Sequence, residues 1–346
     1  MSTAHLCGAH RTVPIELVHH AIRLGAEIGR DIPAMLEAAR VPECLLGRDR
    51  SRVTEDQVIR MVRELWRRSG DEMFGLSPVP LARGSFRLLC YSLIYAPDLH
   101  AAANRLESLQ EALPALPVIR LLADGPYAEV QVEVPDRYDP SGVASPMALA
   151  VVHRVASWLI GRPIPLVEVT LPGTRRMSAE INRVVFGVDV CFNVDPPKFR
   201  FPRELLKAPI VRTPAEVDEF VATSPAGLIR RPGLSVGTGE QVRRIIADGL
   251  RTRRRVGSDE IARRLAFSPQ TLRRKLAGEG TCIRRLREDL LRDTAIASLV
   301  DEAETVAELA ERLGFSEQSS FTRAFRRWTG SSPHAYRRRT PTELRS

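Results

Sequence analysis

Long apolar runs, paired cysteines and a secretion signal are all missing from this sequence. No apolar run in the chain reaches the roughly 18 positions that a membrane-spanning helix requires. The N-terminal segment lacks the apolar core of a signal peptide. The five cysteines are scattered and form no C-x-x-C pair, which is typical of reduced thiols rather than of a disulfide framework. These absences predict a cytoplasmic protein with no membrane partner.

Motifs of catalysis and of metal binding are missing as well. The chain contains no P-loop, no H-E-x-x-H and no strand-borne G-x-G-x-x-G. Its one G-x-S-x-G match, at 233–237, lies in the glycine-rich segment GLSVGTG, which lacks the strand–turn–helix context and is interpreted as linker. His5, Cys7 and His10 are close in sequence, but an unstructured N-terminus is the better interpretation of that segment. Cys90 and Cys191 lie in apolar runs and are interpreted as small core residues. We therefore predict no catalytic residue, no metal and no cofactor.

Lysine is scarce, and the basic charge is unevenly distributed. Only Lys198, Lys207 and Lys275 are lysines among 51 basic residues, and the rest are arginines. Residues 240–346 hold 23 basic and 15 acidic side chains, so they carry +8 of the net charge of +9. A basic region joined to a nearly neutral one indicates that the last third of the chain meets a polyanion while the rest has another task.

The first two thirds of the chain mix helical and strand patterns. Apolar residues recur every three to four positions in much of 14–68, and Thr54 with Gln57 forms a capping box. A turn at 123–126 separates two alternating segments that predict a β-hairpin. Further elements are expected in order as a helix at 145–160, a strand at 166–171, a helix at 178–186 and a strand at 188–192. This order predicts an α+β domain.

Residues 207–239 are rich in Pro, Gly, Ser and Thr and are the best candidate for a linker. Beyond them only helical patterns are found. The sequence therefore predicts an α+β domain at 1–206, a linker at 207–239 and an all-α domain at 240–340.

The segment 257–280 has the pattern of a helix-turn-helix unit. Ser268 and Pro269 predict the start of its second helix. Leu272 and Leu276 lie four positions apart and face the core of the unit. The outward face of this helix then carries Gln270, Arg273, Arg274 and Ala277, as a reader of the DNA major groove requires.

The pattern recurs at 305–328. Thr305 caps a short helix, Gly314-Phe315-Ser316 makes the turn, and 317–328 forms the next helix. Its apolar face carries Phe321, Ala324, Phe325 and Trp328, and its outward face carries Ser319, Ser320, Arg323 and Arg326. A single long helix at 283–300 joins the two units. Two readers about 34 Å apart could enter successive major grooves on one face of DNA.

The C-terminal part resembles the AraC/XylS family of bacterial regulators. Leu272 and Phe321 lie 49 positions apart, which matches the family spacing between the two units. The 175–193 segment and the early helices resemble the subgroup with an arabinose-binding-type N-terminal domain. The most specific match is formed by Gly314-Phe315-Ser316, Gln318-Ser319, Phe321, Arg323, Phe325, Trp328, Gly330, Ser332-Pro333 and Tyr336-Arg337.

The resemblance implies a set of DNA-contacting residues and a mode of control. The first reader would contact DNA through Gln270, Thr271, Arg273 and Arg274, and the second through Gln318, Ser319, Ser320 and Arg323. It also implies that the N-terminal α+β domain senses a small molecule and forms a homodimer, and that promoter occupancy or contact with RNA polymerase then changes.

Two alternatives stay open at this point. One is a ligand-independent repressor or architectural protein whose N-terminal domain only dimerises. The other is an enzyme with an appended DNA-binding domain, against which the missing catalytic motifs argue. The sequence does not identify the operator, the effector or the direction of regulation.

Overall fold

The computed structural model describes residues 11–27, 29–73, 77, 79–138, 142, 144–173, 178–225, 228 and 237–337. The chain forms two compact units that alternate along the sequence. The first, which we name the sheet unit, comprises Glu16–Ala39 and Ile59–Leu234. The second, named the reader unit, comprises Met1–Ile15, Arg40–Val58 and Ser235–Ser346. The domain boundaries at 206 and 239 stay a prediction, and His5, Cys7 and His10 lie outside the described residues.

The described residues contain seven strands and fifteen α-helices. The strands are β1 Thr12–Pro14, β2 Arg52–Thr54, β3 Val118–Asp124, β4 Tyr127–Glu133, β5 Glu168–Leu171, β6 Val190–Phe192 and β7 Lys198–Pro202. The helices are α1 Glu16–Glu27, α2 Ile32–Ala39, α3 Glu55–Ser69, α4 Ser85–Leu93, α5 Leu99–Ala112, α6 Ala144–Leu159, α7 Ala179–Phe186, α8 Pro214–Thr223, α9 Thr238–Arg251, α10 Ser258–Arg264, α11 Pro269–Gly278, α12 Ile283–Val300, α13 Val306–Arg312, α14 Gln318–Thr329 and α15 Pro333–Tyr336. No helix among these residues is long and apolar enough to cross a membrane. The predicted fold class, α+β followed by helices, is confirmed.

The sheet unit is built on a five-stranded sheet in the order β3-β4-β7-β5-β6. All neighbouring pairs are antiparallel except β5 and β6, which run parallel with α7 between them in the chain. The predicted hairpin is confirmed as β3 and β4. Alternation explains the two faces: Val130 and Val132 are buried, whereas Glu129 and Gln131 between them are half-exposed. The buried face joins Phe199 and other residues in the core of the unit.

Side chains from α5 cover the outer edge of the sheet. The Gln110 side-chain amide donates to the Ile119 carbonyl at 3.0 Å and accepts from the Ile119 N–H at 2.7 Å. Glu107 Oε1 accepts from the Leu121 N–H at 3.0 Å. These bonds satisfy edge groups of β3 that face away from β4. The edge is thereby blocked against pairing with another strand.

Two parts of the sheet unit differ from the sequence-based expectation. The strand β7 was missed, although Phe199 and Phe201 alternate with charged residues. The predicted linker contains α8, whose start is fixed by a capping box of Thr213 and Glu216. Phe220 of α8 is buried and stacks on Trp158 with ring centroids 4.5 Å apart, so this part of the segment belongs to a packed core.

Cys90 and Cys191 were both predicted to be core residues, and the prediction is confirmed for Cys90 and wrong for Cys191. Cys90 is buried, and burial raises the pKa of its thiol to about 12. Cys191 is exposed because it lies between Val190 and Phe192, which pack against the core, and alternation along β6 places it on the opposite face of the sheet.

The reader unit combines helices α9–α15 with a short β-ribbon formed by β1 and β2. Val13 pairs with Val53 in this antiparallel ribbon. The helical pattern predicted for much of 14–68 did not reveal β2, because three-residue strands are too short to show a period of two. The predicted capping box is confirmed: Thr54 Oγ1 accepts from the Gln57 N–H, and Gln57 Oε1 accepts from the Thr54 N–H.

Candidate DNA interface

The first helix-turn-helix unit consists of α10, a four-residue turn and α11. The turn begins with Leu265 and passes through Ala266, whose φ of +56° is left-handed. The Phe267 N–H donates to the Ala262 carbonyl at 2.9 Å, which closes the turn onto α10. Ser268 Oγ then accepts from the Thr271 N–H at 3.1 Å, and Pro269 occupies the first position of α11. The predicted cap and first-turn proline are confirmed.

The buried face of α11 is aliphatic. Leu272 and Leu276 lie in a cluster with Ile261 of α10 and Leu290 of α12. Because these positions hold the helix from one side, its other side is open to solvent. Gln270, Arg273 and Arg274 are exposed, whereas Thr271 is half-buried with its Oγ1 2.8 Å from Ser268 Oγ.

The second unit consists of α13, a five-residue turn and α14. Thr305 and Glu308 form a capping box at the start of α13, which confirms the predicted cap. Gly314 has a φ of +83°, and the Phe315 N–H donates to the Ala310 carbonyl at 3.0 Å. This turn is one residue longer than the first. The predicted start of the reader helix at 317 is close to the observed start at Gln318.

The buried face of α14 is aromatic. Phe321 and Phe325 are fully buried, with ring centroids 5.7 Å apart. Phe315 contacts Phe321 edge-to-face at 5.4 Å, and Phe325 contacts Tyr336 of α15 at 5.2 Å. These contacts fix the orientation of α14 in the unit.

The outward face of α14 carries the second predicted set of residues. Gln318, Ser319 and Arg323 are exposed, and Ser320 is half-buried. Arg323 Nη2 donates to Ser320 Oγ at 3.2 Å. Ser319 Oγ donates to Glu317 Oε2 at 2.9 Å.

Glu317 was not predicted as a site residue. Its carboxylate lies at the first turn of the second reader, it is exposed, and it does not cap the helix. The sequence could have indicated Glu317 by its position directly before the helix, because an acidic side chain there interacts favourably with the helix dipole.

A buried carboxylate fixes the helix that joins the two units. Asp293 of α12 accepts from Arg243 Nη2 of α9 at 2.7 Å and from Thr12 Oγ1 of β1 at 2.5 Å. The side chain of Arg292 adds a third contact at 3.1 Å. The 18 residues of α12 span about 27 Å. One ion-pair network thus joins α9, α12 and the ribbon within the reader unit.

The arginines on and near the two reader helices fall into two groups, those in ion pairs and those without one among the described residues. Arg264 and Arg254 pair with Glu260 at 2.6 and 3.4 Å. Among the described residues, no ion-pair partner is found for Arg273, Arg274 of α11 or for Arg323 of α14. Unpaired, exposed guanidinium groups on the outward faces are suited to phosphate oxygens and to guanine edges.

Comparison with known proteins finds two family models on the chain. The family model for the arabinose-binding domain of AraC transcription regulators matches residues 29–210, and a helix-turn-helix model matches residues 261–339. The chain is 26% identical to the Ornithine utilization regulator of Pseudomonas aeruginosa over 94% of this chain and 96% of that protein. It is 29% identical to the HTH-type transcriptional regulator VqsM of the same organism, over 54% of this chain and 58% of that one. An uncharacterized HTH-type transcriptional regulator of Mycobacterium tuberculosis is 41% identical over 80 residues, which is 23% of each chain.

Proposed function

The chain belongs to the family of AraC transcription regulators, and on this premise we propose that α11 and α14 read two successive major grooves of an operator. The observation that carries the proposal is the pair of outward faces, each exposing polar or basic residues on a helix whose other side is packed. Backbone phosphates would position the protein through arginines, and base edges would supply the sequence choice.

The two readers have different chemistry for base contacts. In the first, arginine at 273 and 274 suits guanine, and Gln270 suits adenine. In the second, the candidates are Gln318 and Arg323 together with two small hydroxyl residues, Ser319 and Ser320. Thr271 takes part in the helix cap, so its contribution to DNA binding is expected to be mainly the positioning of the first turn of α11.

We propose further that the protein acts in the cytoplasm as a homodimer and that a small molecule bound to the sheet unit controls it. A dimer doubles the contacted DNA, and occupancy near a promoter allows contact with RNA polymerase. The Ornithine utilization regulator spans nearly the whole chain, so ornithine is the first compound to test. Equal operator affinity and equal transcription with every effector tested would instead support the ligand-independent alternative.

The direct test is to capture genomic fragments with the purified full chain at moderate salt and to sequence what is retained. We expect a few enriched promoter sites, each with two short blocks about one helical turn, roughly 34 Å, apart. Sequence-blind retention that disappears on adding salt would contradict the proposal, because it would indicate binding to the DNA backbone alone.

A further inference from the structure

One face of the five-stranded sheet carries charged side chains that are only partly open to water. The face is formed by alternate residues of β4, β5 and β7, and we name it the polar face. The strand register aligns Glu129, Arg200 and Glu168 in one row across the sheet. The adjacent row contains Gln131, Lys198 and Thr170.

The charges of the polar face alternate in sign. Lys198 Nζ lies 3.1 Å from Glu129 Oε2, and Arg200 Nη1 lies 3.4 Å from Glu168 Oε2. Only 17% of the Glu129 side chain and 24% of the Lys198 side chain are exposed. Burial raises the pKa of Glu129, but hydrogen bonds from Gln131 and Lys198 together with the nearby cations outweigh it, so the pKa is lower than usual. Glu133 of β4 is on the same face and pairs with Arg120 of the neighbouring β3 at 3.2 Å. With this pair included, the face presents three cations and three carboxylates, and their formal charges cancel.

Thr170 is the unusual member of this face. It is 1% exposed, and its Oγ1 has no hydrogen-bond partner among the described residues. The Arg200 Nε is also buried without a hydrogen bond among these residues, and its contact with Glu129 Oε2, at 3.8 Å, is an ion pair beyond hydrogen-bond distance. Buried polar atoms are normally paired, and an unpaired one costs free energy. A bound molecule with polar groups would supply the missing partners.

The arrangement selects for one class of ligand. A simple anion would meet the carboxylates of Glu129 and Glu168, and a simple cation would meet Lys198 and Arg200. A molecule with one carboxylate and one ammonium group matches both sets at once. The existing ion pairs leave capacity for it, since an ammonium has three donors and a carboxylate about four acceptor sites.

We propose that the polar face of the sheet unit binds a free amino acid as its zwitterion. The carboxylate of the ligand contacts Lys198 and Arg200, its ammonium group contacts Glu129 and Glu168, and Thr170 Oγ1 completes the hydrogen bonding. This site deepens the proposed function, because it gives an effector-controlled regulator a place and a chemical class for its effector.

The test uses the full chain with L-ornithine and each of the twenty standard amino acids as separate probes. Melting temperature is measured first, and calorimetric titration then gives the Kd of any compound that stabilises the protein. We expect at least one amino acid to bind. Its Nα-acetyl and amide derivatives, which each lack one charge, and L-arabinose should not bind. Stabilisation by L-arabinose but by no amino acid would overturn the proposal.

Thr170→Val is the decisive variant, because valine keeps the branched shape and removes only the hydroxyl. The unliganded variant should melt at the same temperature as the parent or higher, since Oγ1 has no hydrogen bond to lose within the described residues. Its Kd for the amino acid should rise roughly tenfold. Unchanged affinity in this variant would place the ligand elsewhere and reject the site.

Lys198→Met and Lys207→Met form a matched pair. The first removes a cation from the polar face and should weaken binding by on the order of ten- to a hundredfold. Lys207 is an exposed lysine of the same unit, and its variant should bind as the parent does. Operator binding is measured on the same preparations. Operator binding without amino-acid binding rejects the site and leaves the DNA function intact, whereas loss of sequence-specific binding in the parent protein rejects the proposed function itself.

Discussion

The two helix-turn-helix units share a backbone plan but use different means to hold it. The first packs leucine and isoleucine behind its reader, and the second packs phenylalanine, tyrosine and tryptophan. The side-chain caps are also exchanged. In the first unit Ser268 caps the second helix, whereas in the second unit Thr305 caps the first helix. Each unit has one such cap on its two helices, at a different place.

The difference shows that two helix-turn-helix units of one chain can close their turns in the same way with different residues. The turn has a left-handed residue in both units, but it is Ala266 in one and Gly314 in the other. The second turn is longer by one residue, and yet the two closing hydrogen bonds, from Phe267 to Ala262 and from Phe315 to Ala310, are nearly equal in length. Equivalent geometry is thus reached with a different side-chain chemistry.

The largest expected effect is on the free energy of unfolding, when a core side chain behind either reader helix is truncated. Phe325→Ala should lower the free energy of unfolding by about 3–5 kcal/mol, because it removes a buried ring and its contacts with Phe321 and Tyr336. Leu272→Ala should cost about 2–5 kcal/mol. Denaturant unfolding of the full chain measures both, with the exposed Gln270→Ala as the control. A larger cost for Leu272 than for Phe325 would show that the aliphatic core is the better packed.

The next effect concerns the reader arginines, which occupy equivalent positions 49 residues apart. Arg274→Ala and Arg323→Ala should each weaken operator binding by about 1–3 kcal/mol and relax base choice in one block. Binding assays on operators mutated in one block at a time would show which block loses discrimination. Arg183→Ala, on the surface of the sheet unit, is the control. Unchanged affinity in both reader variants would mean that the outward faces have been assigned wrongly.

The smallest effect concerns the two turns. Gly314→Ala should destabilise the protein by about 1 kcal/mol, because alanine is strained at a left-handed φ. No atom of the described residues lies within 4 Å of the added methyl group, so the cost comes from the backbone alone. Ala266→Gly should have the opposite sign and stabilise by about 0.5 kcal/mol. Thermal unfolding of both variants measures the two changes in stability. Changes of the same sign would show that the two turns are not equivalent.

The sequence predicted the helices of both units because each has a clear apolar period and a cap, such as Ser268 with Pro269. It did not predict the ribbon, since the pairing of Val13 with Val53 joins distant positions that carry no local signal. The helix α8 was missed because the surrounding prolines and glycines outweighed the capping box of Thr213. Base contacts stay a prediction, because side-chain exposure on a reader helix does not identify the base that it meets.

The Asp293 network limits how this regulator can be recombined with others. A graft of residues 240–346 onto a foreign sensor would leave out Thr12, which contacts Asp293, and Arg52, whose N–H donates to the buried Tyr336 hydroxyl at 3.0 Å. The transplanted segment would therefore lack the contacts that β1 and β2 make with its helices. In this chain the C-terminal third is not a self-contained unit, because the reader unit also includes Arg40–Val58 and the first strand of the ribbon. Designers of hybrid biosensors should transfer residues 11–15 and 40–58 together with the readers.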